Sequence, residues 1–493
     1  MESLLKQLTQ GRALFFIIVL GIGGTFQTGY HVTAISSPSP FIKSFINSSL
    51  TGRFEVAEPE TVRFIWSAVV GLYGLGGLFG SMGIKLMTGK LGRKKTLLWN
   101  DVISMAAAVV MFTSKSANSF EMILLSRFFF GFVAGLGQHV HIIYLGESSP
   151  KRIRGLVTLT SSTILSMGKL SGQVAGLNET LGSQDCWNIL LCLAAFFSAA
   201  QLLALPFFPE APRYLLIEKN NREECQQALR CLWGSGDHSK EIEEMLEEQV
   251  AIGSERSTGL LELLRDKRLR WQILTVLVLQ ISIQFCGISA ISMFSYKIFQ
   301  EAGIAEDKIR YVTLGVGMSE VLTSITCGFL IERVGRRVLL WGAFAGMSLI
   351  MSLLTITLHL QAFSTWLPYC SVVLIFLFVF FYCGGPAGVF PSLSHEIFIQ
   401  SCRPAAFVFT GMLRWLGFSV VGFAFPFLID HLKSFIFLLF ACICLAAALY
   451  VFFVLPETKG KTLLEIAEEF DRIEVCRSPS SDDRCLQKQE TRL

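Results

Sequence analysis

Apolar residues in this chain neither alternate nor line one helical face. They run in long blocks, separated by short stretches in which Lys, Arg, Glu and Gly concentrate. A block of about 20 mostly apolar residues is what a helix needs to cross a bilayer. About twelve such blocks are present, near 13–33, 64–86, 96–113, 120–143, 155–177 and 186–208, then near 271–294, 309–331, 338–359, 367–391, 404–429 and 433–455. The interval 209–270 is polar, and "EIEEMLEEQ" and "QQALRCLW" within it predict short surface helices. The pattern predicts an all-α membrane protein of twelve transmembrane helices in two six-helix bundles, 1–208 and 271–455, with a helical linker over 209–270 and a tail over 456–493.

Composition supports the pattern. Of 493 residues, 52% are hydrophobic and 16% charged, too little charge to cover a soluble protein of this size. A net charge of +4 makes no case for nucleic acid. The thirteen cysteines show no C-x-x-C spacing, and Cys327, Cys442 and Cys444, inside apolar blocks, read as small core residues. "MESLLKQLTQGR" precedes the block at Ala13 with no small-residue cleavage site after it, so that block reads as a first span rather than a removed signal. No nucleophile–base set or phosphate loop stands out, and the chain reads as a non-enzyme without cofactor or metal. "GIGGTF" lies inside a block, where glycine serves close helix packing.

Basic residues orient the spans. Lys90, Arg93, Lys94 and Lys95 follow the second, Lys151, Arg152 and Arg154 the fourth, and Arg333, Arg336 and Arg337 the eighth. These exits, and with them both termini, are expected in the cytosol. The N-x-S/T sequons at Asn47 and Asn178 fall on the opposite side, where glycosylation occurs.

The two sets of six are copies. "GKLGRKK" from Gly89 recurs as "ERVGRRV" from Glu332, "ESSPKRIRG" from Glu147 as "EIFIQSCRP" from Glu396, and "PEAPRYL" from Pro209 as "PETKG" from Pro456. Parallel repeats around a midplane site suggest alternating access, one half rocking against the other. Two charge clusters, Arg93, Glu147 and Arg154 with Arg336, Glu396 and Arg403, are expected to pair at the cytosolic ends as a gate; the glutamates add nothing to a positive-inside signal.

With "SRFFFGFVAG", "YLGESSPKRIRG", "PEAPRYLL", "ERVGRR", "RPAA" and "PETKGKT", nearly the whole chain resembles the sugar porters of the major facilitator superfamily. "GGTFQTGY" and "GPAG" are similar to the class II facilitative hexose transporters of vertebrates. The resemblance implies uniport of glucose or fructose across the plasma membrane.

Gln280 and Gln284 lie four apart, on one helical face, and Gly287 could loosen the helix beyond them. By the resemblance, Gln284 matches a sugar-binding glutamine and Trp415 a tryptophan beneath the sugar. Ser289 stands where the family has asparagine, Ile283 where it has a further glutamine, and Pro391 where many relatives have tryptophan. Charge enters where relatives are neutral: Glu320 replaces an asparagine, and Arg414 a neutral residue or histidine. Lys169 sits in "TILSMGKLSGQVAGL" with no acid nearby in the chain. It is seven residues beyond Ser162, the family's cavity-facing position, and so shares that face, as nearly does Gln173. A lysine at a span's centre costs ~2.5–3.5 kcal/mol, so Lys169 is expected to be wet or paired, with Glu320 the natural partner. Arg414 is then left over, which keeps a small organic anion such as urate open as an alternative substrate. His31 replaces the aspartate of proton-coupled relatives and the asparagine of facilitators. A sensor that does not transport is disfavoured by the short tail. The terminal "ETRL", with Thr491 and Leu493, fits a PDZ-binding pattern.

Overall fold

A computed structural model describes residues 12–54, 58–149, 154–234, 236, 238–253, 260–265, 269–398, 402–458, 465–466 and 469–470. The side chains of 154–159, 327–333, 394–396 and 403–404 lie outside that description, as do Lys151, Arg152, Thr491 and Leu493.

Every long element is a helix. In the first half these are α1 (Ala13–Ala34), α2 (Pro59–Met82), α3 (Arg93–Ser114), α4 (Phe120–Ser148), α5 (Arg154–Ala175) and α6 (Trp187–Phe207). The second half has α7 (Arg270–Glu301), α8 (Glu306–Val334), α9 (Arg336–His359), α10 (Leu367–Gly384 with Pro386–Ile397), α11 (Arg403–Leu432) and α12 (Phe435–Phe453). Among the described residues, ten of the helices are long and apolar enough to cross a membrane. The two outside that set are α5 and α8, of 22 and 29 residues, which carry Lys169 and Glu320. Between the halves run Pro212–Ile217, Arg222–Trp233, Ser239–Gly253 and Leu260–Arg265.

The outward faces of the bundle are apolar. Phe196, Leu203 and Phe207 are 67%, 73% and 77% exposed, a surface that lipid covers and water does not. Cys444 is buried, but Cys442 is exposed, a correction to its reading as a core residue: two residues along a helix point to nearly opposite sides. Cys327 lies outside the described side chains.

Glycine lets the helices of the first half touch backbone to backbone. A Cβ on Gly131 would sit 1.9 Å from the Tyr73 carbonyl oxygen, and one on Gly76 2.0 Å from that of Phe128, so α2 and α4 share a small-residue seam. The "GIGGTF" glycines act likewise: a Cβ on Gly23 would strike the Gln201 amide, and one on Gly24 the His141 side chain. That stretch is a π-turn, Ile22–Phe26, within α1.

The halves meet along α2 against α11 and α5 against α8. At the end carrying Asn47 and Asn178, Ser36 Oγ lies 2.9 Å from Ser295 Oγ, Arg310 Nε donates to Ser37 Oγ at 2.9 Å, and Arg63 Nε lies 3.0 Å from Asp430 Oδ2. Each contact joins one half to the other.

Candidate functional site

Two helix breaks position the centre of the interface. Gly287 adopts φ 108°, which an L-residue resists, and splits α7 into Arg270–Phe285 and Ile288–Glu301. Gln284 and Ser289 flank the break, and the Ser289 hydroxyl donates to Gln284 Oε1 at 3.4 Å. The Gln284 carbonyl is thus engaged while its amide NH2 has no protein partner among the described residues. Gln280, one turn earlier, is 4% exposed. The second break, at Gly385, divides α10 just after Tyr382.

Lys169 and Glu320 meet across the halves. Lys169 Nζ donates to Glu320 Oε1 at 2.7 Å, with side chains only 12% and 9% exposed. A charge that would be costly in hydrocarbon therefore has a charged, hydrogen-bonded partner on the facing helix. One turn along α5, Gln173 presses its amide on Gly317 of α8, with Oε1 buried and unpartnered.

On α11, Trp415 is 3% exposed, and its indole N–H has no partner among the described residues. Its ring packs over Gly77 of α2 and edge-on to Tyr73 at 5.8 Å. Arg414 makes neither ion pair nor hydrogen bond among the described residues. Its guanidinium lies within Coulombic reach of the Tyr382 and Tyr73 phenols. Tyr382 is also within reach of Glu320 and Cys286, so it stands between the break in α7, the acid on α8 and the cation on α11. Tyr382 was not singled out from sequence; its place one turn before "GGPAG" is the signal that marks it.

His31 stands apart from this group. Its ring is buried in the first half, stacked on Phe130 at 4.2 Å, with both nitrogens unpartnered. His141 faces Thr25 at 3.2 Å, and His139 Nδ1 meets the Gly135 carbonyl at 2.6 Å. All three are packed interior groups.

At the opposite end, Arg93 Nη2 contacts Glu147 at 2.8 Å and Nη1 contacts Glu218 at 2.8 Å. Two carboxylates not predicted as functional complete the repeat. Glu210 Oε1 accepts the Arg93 and Lys94 backbone N–H groups at 3.0 and 2.9 Å, capping α3. Glu457 accepts those of Arg336 and Arg337 at 2.9 and 3.1 Å, capping α9. Each cap meets orphan donors at the positive end of a helix. Gly92 and Gly335, at φ 85° and 103°, bring the chain close beside each carboxylate. The paired "PEAPR" and "PETKG" motifs carried this signal. The side chains of Arg154, Glu396 and Arg403 lie outside the described residues.

Asn47 and Asn178 are both exposed. The Ser49 hydroxyl of the first sequon is turned inward onto the Asn118 carbonyl at 2.9 Å.

Two repeated halves of membrane-length helices, with buried polar groups converging between them, define a membrane transporter of the major facilitator kind. Comparison with known proteins agrees. Residues 16–470 match the family described as "Sugar (and other) transporter". The chain is 41% identical over 471 residues to human "Solute carrier family 2, facilitated glucose transporter member 11", covering 95% of each. It is 41% identical over 451 residues to human member 9, covering 91% of this chain and 84% of that one. With member 5 of Equus caballus it shares 38% over 460 residues, 92% of this chain and 91% of the relative. Among solved structures, the partially occluded inward open conformation of the xylose transporter XylE from E. coli superposes with a TM-score of 0.73 at 18% identity, covering 90% of this chain and 99% of that one. The chain belongs to the sugar (and other) transporter family. It is a multi-pass membrane transporter and not an enzyme.

Proposed function

We propose that the chain carries a hexose, glucose and/or fructose, down its gradient as a uniporter of the plasma membrane. In this reading α5 and α8 also span the bilayer, giving twelve spans with both ends in the cytosol and the domain division read from the pattern. The observation that carries it is the buried Trp415 indole N–H, which has no partner among the described residues, at the same interface as Gln284, whose amide NH2 makes no hydrogen bond among them. A buried donor without a partner is costly, and a sugar hydroxyl can satisfy it. The names of the relatives, facilitated glucose transporters, point the same way. In proteoliposomes, hexose uptake should saturate, and Gln284→Ala should raise the half-saturating concentration about tenfold, since the hydroxyl loses its partner. Uptake that a proton gradient drives beyond equilibrium would overturn uniport.

A small organic anion such as urate is the second reading, favoured by one observation, that Arg414 makes no ion pair among the described residues.

The Arg93–Glu147 pair serves as part of the cytosolic gate in this proposal. Glu147→Gln should shift the transporter toward the state open at the cytosolic end, read as faster labelling of a reporter cysteine there and slower labelling at the sequon end. Glu218 still holds Arg93, so the shift should be partial. Unchanged rates at both ends would remove the gate role.

A further inference from the structure

Away from the central group, a cavity of ≈ 240 Å³ opens at the sequon end, between helix Ser39–Phe54 and α2 on one side and α7 and α11 on the other. Trp66, Phe294 and Phe425 supply flat apolar walls, and Lys43, Arg63, Lys297 and Asp430 supply charge. The charges do not balance. Arg63 has Asp430 at 3.0 Å, and Lys297 has Glu301 at 2.7 Å. Lys43 has no acid and no hydrogen bond among the described residues; its ammonium lies 5.3 Å from the Trp66 ring centroid. Burial holds this ammonium below the usual lysine range, the nearby Lys297 cation pushes the same way, Asp430 opposes, and Arg63 adds a smaller push downward. A partly desolvated cation that faces a ring and makes no ion pair among the described residues gains from an arriving anion.

We propose that this cavity binds a small monocarboxylate carrying a flat apolar ring, its carboxylate on Lys43 and its ring against the wall that Trp66, Phe294 and Phe425 line. Because Trp66 belongs to one half and Phe425 to the other, the occupant ties the halves together at the sequon end and holds that end shut. The site rests on its own residues, whatever the central group transports.

The probe is radiolabelled benzoate on purified full-length protein in nanodiscs, with benzyl alcohol as its neutral isostere. Benzoate should bind saturably and benzyl alcohol should not displace it. Lys43→Met should weaken benzoate about tenfold, as expected for losing a hydrogen bond to a charged group. Lys43→Arg should retain it, and the Lys43-dependent binding should persist in Arg414→Asn, which removes any benzoate held at the centre. Thermal unfolding without ligand checks that each variant is folded. Wild-type affinity in folded Lys43→Met, or a loss confined to Arg414→Asn, would overturn the site. So would displacement by benzyl alcohol or the absence of saturable binding to the wild-type protein.

Discussion

Replacing Lys169 with methionine, or Glu320 with glutamine, should each cost ~3–5 kcal/mol of stability, and making both changes together should restore much of the loss. The two groups touch at 2.7 Å and are only 12% and 9% exposed, so solvent screens them little. Removing either partner strands the other charge without water or counter-charge. Removing both strands nothing, and methionine and glutamine fill similar space. Thermal unfolding of the four proteins in nanodiscs gives the cycle, and hexose uptake gives its functional counterpart. Losses that simply add would show that the contact carries no coupling. The pair joins α5 to α8 across the interface between the halves, so under alternating access the double variant should also alter the balance between inward- and outward-facing states.

That pair could be anticipated because hydrocarbon is an unforgiving solvent. A lysine in an apolar run must point at water or at an acid, and helical periodicity put Lys169 on the face of Ser162. Glu320 was the intramembrane acid on a facing span. The break at Gly287 was legible for a related reason, since glycine next to a polar "Q…S" pair inside a span invites a left-handed turn. Ten of the membrane-length helices were legible from block length alone. The caps were less so. Glu210 and Glu457 sit in motifs visible as repeats, yet a carboxylate that accepts backbone N–H groups leaves no side-chain partner in the sequence to find. Arg63 and Asp430 are far apart in the chain and lie at span ends, where charge is ordinary, so nothing marked their contact. His31 shows the opposite limit. The family pattern put His31 among the substrate-binding candidates, and its ring is buried and stacked on Phe130. Periodicity assigns a face, but it does not say how deep that face lies.

The balance of charge at the centre leads to the second large effect, on substrate choice. Lys169 and Glu320 neutralise each other, leaving the Arg414 cation without an ion pair among the described residues and within Coulombic reach of the Tyr382 and Tyr73 phenols and of His139. A planar guanidinium presents a fork of donors that a carboxylate or a planar anion meets with two parallel hydrogen bonds, while a hexose hydroxyl meets it with one. Arg414→Asn keeps a donor and an acceptor but deletes the charge and the fork. Uptake of urate should then fall about tenfold or more, the scale of a hydrogen bond to a charged group, while glucose and fructose uptake hold or rise. Arg414→Lys should fall between, with the charge kept and the fork lost. The unfolding midpoint supplies an independent readout. If Arg414 is a cation held without a partner, its replacement by a neutral amide should leave stability unchanged or raise it. A marked loss of stability would mean that the guanidinium is structural. An unchanged ratio of urate to hexose uptake would remove the anionic reading and leave the neutral sugar as the sole substrate class.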